Sequence, residues 1–216
     1  MSNKPEPASA DPRLKLEQVH IALGSTTLVD LDCTIAGGEI FTVMGPSGSG
    51  KSSLLAYLGG FLAPAFTASG SVRINDQEVT GLPPEERRLG LLFQDPLLFP
   101  HLSVAGNLQF GLPAKAVDKK ARIAAVLNQA GLADFADRDP ATLSGGQKSR
   151  VALLRLLLSE PQAVLLDEPF SKLDTDLRRD IREQVFLGIR QAKLPAILVS
   201  HDEADAEAAG GQVLRL

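Results

Sequence analysis

Gly45-Pro46-Ser47-Gly48-Ser49-Gly50-Lys51-Ser52 has the spacing G-x-x-x-x-G-K-[ST] of a phosphate-binding loop. The flanking residues supply the context that motif needs. Ile40-Phe41-Thr42-Val43-Met44 is an apolar run ahead of it, and Ser52-Ser53-Leu54-Leu55-Ala56-Tyr57-Leu58 continues it with a helical pattern. Glycine lets the backbone bend until successive N–H groups aim inward at phosphate oxygens. The helix that follows adds its positive N-terminal end. Lys51 brings a point charge to the β- and γ-phosphates, and the Ser52 hydroxyl can ligate Mg²⁺. Pro46, Ser47, Gly48, Ser49 and Ser53 complete the candidate phosphate contacts. The competing reading is a glycine turn before a helix with a surface lysine, which leaves the strand–loop–helix setting unexplained.

Leu143-Ser144-Gly145-Gly146-Gln147 is the second informative string. It opens a predicted helix, so it offers free N–H groups, a hydroxyl and a positive helix end, a second anion site. With both strings in one chain, the sequence resembles the ATP-binding cassette (ABC) ATPases, whose signature reads LSGGQ. The resemblance runs from about residue 14 to 216. It implies an α/β fold: a P-loop NTPase core with an antiparallel β-subdomain and an inserted α-helical signature subdomain, here at approximately 95–160. In that family the signature caps the γ-phosphate held by the other protomer's P-loop. A head-to-tail homodimer with two composite ATP sites is thereby implied, with Ser144, Gly145, Gly146 and Gln147 serving the partner's nucleotide. Ser171-Lys172-Leu173-Asp174 matches the loop that lies across the dimer interface in the family, which makes Asp174 a candidate contact.

Three further places carry chemistry. In Ala163-Val164-Leu165-Leu166-Asp167-Glu168, a buried strand delivers two carboxylates. Asp167 is placed to hold Mg²⁺, as in P-loop NTPases, and Glu168 to orient or deprotonate the attacking water. Gln94 matches the family's Q-loop, where its amide reaches both Mg²⁺ and the lytic water. His201 follows the apolar run at 196–199 and matches the switch histidine that contacts the γ-phosphate; a neutral imidazole both donates and accepts. Each of these residues, taken alone, also reads as an ordinary surface or structural group. ATP and Mg²⁺ are the implied ligands.

The 216 residues suffice for one domain, or one core plus a lobe. A net charge of −4 gives no basic face for nucleic acid, and no such partner is expected. The one cysteine, Cys33, excludes an internal disulfide and a cysteine metal cluster; its alternation with Leu31 and Ile35 reads as a core thiol. No apolar run approaches the roughly 18–20 residues of a membrane span. Residues 1–13 are rich in Pro, Ala and Ser without an apolar stretch, a disordered tail rather than a signal peptide. The expected location is the cytosol, with membrane association only through a partner.

Coarse periodicity places strands across 14–43, two short strands at 71–80 and another at 89–93. Helices are expected at 103–130, with Ser103 and Asp118 as candidate N-caps, and from Ser144 to about Ser159. A long amphipathic helix carries Leu177, Ile181, Val185 and Ile189, between buried strands at 164–166 and 196–199.

The segment from Phe93 to Leu108 resembles importer ATPases of the thiamine, iron(III), spermidine and sulfate group. That resemblance implies integral-membrane permease subunits docked in the groove between Q-loop and helical lobe, an extracytoplasmic solute-binding protein reached indirectly, and a place on the cytoplasmic face of the cell membrane. Leu97, Leu98, Phe99 and Leu102 are expected to line the groove or to belong to the lobe's core. The alternative is an ATP-gated clamp that remodels or signals to a membrane complex without moving a solute. The chain departs from the family at Leu23, where many cassettes place an aromatic against adenine. Weaker base stacking and looser ATP/GTP discrimination are expected. The chain ends soon after His201, so control by a C-terminal regulatory domain is not expected.

Overall fold

The computed structural model describes residues 12–171, 173 and 175–216, with the backbone alone for 175–177. Positions 1–11 of the expected tail, Lys172, Asp174 and the Leu177 side chain lie outside the described residues. The tail's last position, Arg13, already belongs to a strand.

The chain opens with β1 (Arg13–Leu23) and β2 (Thr26–Ala36), an antiparallel hairpin that turns at Gly24, φ +58°. β3 (Ile40–Met44) follows and is buried at every residue, so it reads as a continuous apolar run. α1 (Lys51–Gly59) leads to β4 (Phe66–Ile74) and β5 (Gln77–Glu78). These return to the hairpin and give an antiparallel sheet of order β2-β1-β4-β5. β4 starts earlier than the polar residues before Ser71 suggest, because β1 supplies a partner as far as Phe66.

β6 (Leu89–Leu92) precedes the helical part, which holds α2 (Val104–Gly111), α3 (Lys119–Gln129) and α4 (Gly145–Leu158). The stretch 103–130 is two helices. Pro113 lacks an N–H and pushes Leu112 to an extended conformation (φ −70°, ψ 140°), which ends α2. Ser103 caps α2 by accepting from the Gly106 N–H, whereas Asp118 adopts a left-handed backbone and makes no cap bond. The remaining elements are β7 (Ala163–Asp167), α5 (Thr175–Gln191), β8 (Ala196–Val199), α6 (Glu203–Ala209) and β9 (Val213–Arg215).

β6, β7, β8, β3 and β9 form, in that order, an all-parallel sheet. Alternate residues face opposite layers, as strand geometry requires. Phe41, Val43, Leu165, Ile197 and Val199 pack toward α1 and the antiparallel sheet. Ile40, Val164, Leu166, Ala196 and Leu198 pack toward α4 and α5. A third apolar cluster joins α2, α3 and α4 through Val104, Leu108, Ile123, Leu127 and Val151. The fold is thus a P-loop NTPase core carrying an antiparallel β-subdomain and a helical insertion. Cys33 sits at the margin of the first cluster, half-buried, and burial pushes its thiol up to about 12. No helix of the described residues is long and apolar enough to cross a membrane.

Arg87 locks the end of α1 in place. It is buried, and its guanidinium donates to the carbonyls of Tyr57, Leu58, Leu82 and Thr80. Gly60, at φ +83°, leaves room for it: a Cβ there would meet Arg87 Nε at 2.6 Å. Arg87→Leu would strand those carbonyls, two of them from the last turn of α1. A loss of about 3 kcal/mol in urea denaturation is expected. A loss below about 1 kcal/mol would show that water replaces the guanidinium.

Candidate nucleotide site

Parallel strands place all their carboxyl ends along one edge of the sheet, the edge at which open α/β sheets bind ligands. Four of the five strands release a candidate residue there. β3 leads into the loop 45–50; β7 ends at Asp167 and is followed by Glu168; β8 leads to Ser200 and His201; β6 leads through Phe93 to Gln94. Leu92 lies opposite Leu166 in register, so Gln94 and Glu168 leave neighbouring strands at matching positions. The Gln94 side chain is exposed.

The loop needs glycine at defined points. Gly48 has φ +84° and Gly50 has φ +104°, both in left-handed territory. A Cβ on Gly50 would also lie 2.8 Å from Leu28 Cβ. Lys51 opens α1 at 7% exposure, and its ammonium donates to the Gly45 and Pro46 carbonyls, each at 2.7 Å. No carboxylate pairs with it among the described residues. An ammonium has three donors, so one remains, and the Asp167 carboxylate lies near enough to feel its charge without forming an ion pair. Ser49 Oγ is buried without a hydrogen-bond partner.

A cavity of about 400 Å³ lies beside these groups. Ser47, Gly48, Gly50, Lys51, Ser52 and Ser53 line its polar side, Glu168 approaches it, and Leu23, Leu28 and Phe66 give it an apolar end. The donor set on one side fits a polyphosphate. Pro46 contributes through its carbonyl to Lys51, and the Pro46 carbonyl also accepts from the Ser49 N–H at 3.3 Å.

Burial pushes the Asp167 carboxyl above the usual carboxylate range; Glu168 adds to that rise and Lys51 opposes it. Glu168 is held by its backbone. Its N–H donates to the Val199 carbonyl at 2.9 Å, and its own carbonyl accepts from the Ser171 hydroxyl at 2.9 Å. Its φ of +45° is uncommon for a residue with a side chain and costs on the order of 1 kcal/mol. Glu168 Oε2 lies 3.3 Å from His201 Nδ1, so the structure brings these two candidates into contact.

A polar network behind the site escaped the sequence reading. Ser200 donates its hydroxyl to Asp205 at 2.7 Å, and Arg182 reaches the other Asp205 oxygen at 3.0 Å. Arg178 donates to Asp202 at 2.8 Å and to the Ser171 and Leu173 carbonyls, each at 3.2 Å. One arginine thereby ties the loop after Glu168 to the residue after His201. The only local signal was Asp202, which caps α6 by accepting from the Ala204 N–H.

The signature string does not line this cavity. Ser144 is the N-cap of α4, and α4 itself begins at Gly145. Ser144 and Gln147 form a reciprocal capping box: the Ser144 hydroxyl accepts from the Gln147 N–H, and the Gln147 side chain accepts from the Ser144 N–H at 2.9 Å. Gly145 and Gly146 keep their first-turn N–H groups outside the intrahelical ladder. On the helical part, Leu97 and Phe99 line an apolar groove of about 460 Å³, joined by Phe110 and Leu156. Leu98 turns inward between the second and third apolar clusters, and Leu102 packs near Gly106, so neither lines it. Phe110, 67% exposed, packs against Phe99 with the rings tilted by 59° and their centroids 4.5 Å apart.

Residues 28–171 match the protein family described as "ABC transporter". The chain is 45% identical over 186 residues to the uncharacterized ABC transporter ATP-binding protein YnjD of Escherichia coli K12, covering 85% of this chain and 86% of that protein. It is 41% identical to the spermidine/putrescine import ATP-binding protein PotA of Pseudomonas aeruginosa, covering 90% of this chain and 54% of that one. It is also 41% identical to the Fe(3+) ions import ATP-binding protein FbpC of Pseudomonas fluorescens, covering 89% and 55%. The chain therefore spans about half the length of these two import proteins.

The raised Asp167 carboxyl has a consequence for stability. A carboxylate whose folded pKa lies above its unfolded value costs stability when ionised. That cost is absent below the ordinary 3.8 and complete once the pH passes the raised value. Asp167→Asn should therefore melt a few degrees higher than the parent near pH 7 in the absence of nucleotide, with the gain shrinking toward acid. An unchanged or lower Tm at pH 7 would contradict the assignment.

Proposed function

The chain belongs to the ABC transporter family, and we propose that it is the ATP-hydrolysing subunit that drives an importer. The observation that carries this reading is the convergence of Lys51, Asp167, Glu168 and His201 on one sheet edge beside a cavity with an apolar end. Import is supported by the names of the PotA and FbpC relatives.

In this account Lys51 turns from the Gly45 and Pro46 carbonyls toward the β- and γ-phosphates. The N–H groups of 45–50 and the first turn of α1 cradle the remaining oxygens. Ser52, Asp167 and Gln94 would hold Mg²⁺. Among the described residues no cluster of three or more acidic, histidine or cysteine side chains could hold a metal unaided, so phosphate oxygens would complete its shell. Bound there, Mg²⁺ would neutralise charge developing on the phosphate oxygens. Glu168 accepts a proton from the attacking water, and His201 steadies that carboxylate and reaches the γ-phosphate.

Two copies associate head to tail. The signature Ser144, Gly145, Gly146 and Gln147, with Asp174, which lies outside the described residues, meets the nucleotide held by the second copy. Closure needs the γ-phosphate and hydrolysis releases it, a clamp with two positions. Permease subunits dock in the groove of Leu97, Phe99 and Phe110 from the cytoplasmic face of the membrane, and a solute-binding protein acts through them.

Steady-state ATPase assays and calorimetric binding test these roles. Lys51→Ala should weaken Mg-ATP binding by at least about tenfold, the loss expected for a charge-assisted contact. Glu168→Gln should bind Mg-ATP like the parent yet hydrolyse it about 10²–10⁴-fold more slowly. Ser144→Arg should keep binding and lose turnover. Parental turnover in Glu168→Gln would remove it as the base, and normal turnover in Ser144→Arg would sink the composite site.

A further inference from the structure

The apolar end of the cavity has no part in holding phosphate. Leu23 closes β1 at 46% exposure, and it lies directly opposite Phe66, the first residue of β4. Directly opposed residues carry side chains on the same sheet face about 5 Å apart. Both line the cavity that Lys51 and Ser52 line. Antiparallel pairing from Leu23↔Phe66 through His20↔Ser69 fixes the position of Phe66, and its N–H donates to the Ala63 carbonyl at 3.1 Å in the turn before β4. The ring is half-buried and packs on the edge of the first apolar cluster, with one side left to the cavity.

We propose that Phe66 supplies the aromatic face on which the nucleotide base stacks, with Leu23 and Leu28 as its apolar surround. The proposal rests on the nucleotide reading above and deepens it. The aromatic that the sequence lacks at Leu23 comes from the neighbouring strand. A ring reads the flat face of a base and not its hydrogen-bonding edge, because every base presents a π-face. The three residues of this end carry no polar side-chain atom. Adenine and guanine nucleotides are therefore held nearly alike.

The test is calorimetry on the full chain with Mg-ADP, Mg-GDP and Mg-pyrophosphate, none of which is consumed. The parent should bind ADP and GDP within about threefold of each other, and both more tightly than pyrophosphate. Phe66→Ala should weaken both nucleotides about tenfold or more, the usual effect of removing a stacking aromatic, and leave pyrophosphate within twofold. Phe66→Trp should restore nucleotide affinity, whereas Phe66→Leu, which keeps apolar bulk, should not. Circular dichroism establishes that each variant is folded. Equal weakening of pyrophosphate, or parental ADP affinity in Phe66→Leu, would reduce Phe66 to packing and overturn the proposal. Unchanged ADP binding in Phe66→Ala alongside lost binding in Lys51→Ala would overturn it and leave the phosphate site standing. Unchanged binding in both variants would overturn the nucleotide reading itself.

Discussion

A lysine ammonium almost wholly withdrawn from water, with two carbonyl oxygens for company, sets the terms for the rest of the molecule. Burying an unpaired charge costs several kcal/mol unless its surroundings are polar and its counter-charge is at hand. Lys51 meets the first condition through Gly45 and Pro46. Asp167 meets part of the second, a bound anion would meet the rest, and the supporting structure holds the backbone in place. β3 is buried along its whole length between β8 and β9, so the loop's origin is fixed. Arg87 fixes the far end of α1. The backbone that carries Lys51 is thereby held at both ends of α1, while its side chain lines the cavity.

The carboxylate side of the candidate site is built by the same logic. Asp167 and Glu168 are consecutive, yet their surroundings differ: the first is half-buried with a raised carboxyl, the second reaches out to His201. Arg178 spans the loops that follow Glu168 and His201, so a displacement of one is felt by the other. The signature helix stands outside this constellation, with its capping box already formed. The start of α4 and the loop around Lys51 therefore do not share a cavity, and the two-copy site proposed above would bring them together.

What the sequence disclosed and what it withheld follow from the range of each interaction. A phosphate-binding loop and a helix cap are each built from consecutive residues, so 45–52 and 143–147 are legible as strings. A buried parallel strand is a continuous apolar run, so β3, β7 and β8 were visible. The division of 103–130 was legible from its two candidate caps, Ser103 and Asp118, and α2 and α3 start directly after them. β9 was hidden because Val213–Arg215 has strand character only beside β3. Phe66, Phe110 and Asp205 acquire meaning through partners far along the chain, and no local pattern marks them. That Phe66 stands opposite Leu23 emerges only once β4 pairs with β1.

Light scattering of Glu168→Gln at micromolar concentration, with and without Mg-ATP, tests the central claim most directly. The account predicts a monomer without nucleotide and a dimer with it, because the phosphate held by Lys51 in one copy completes the signature surface of the other. A protein that binds Mg-ATP yet keeps the same mass would contradict the two-copy site.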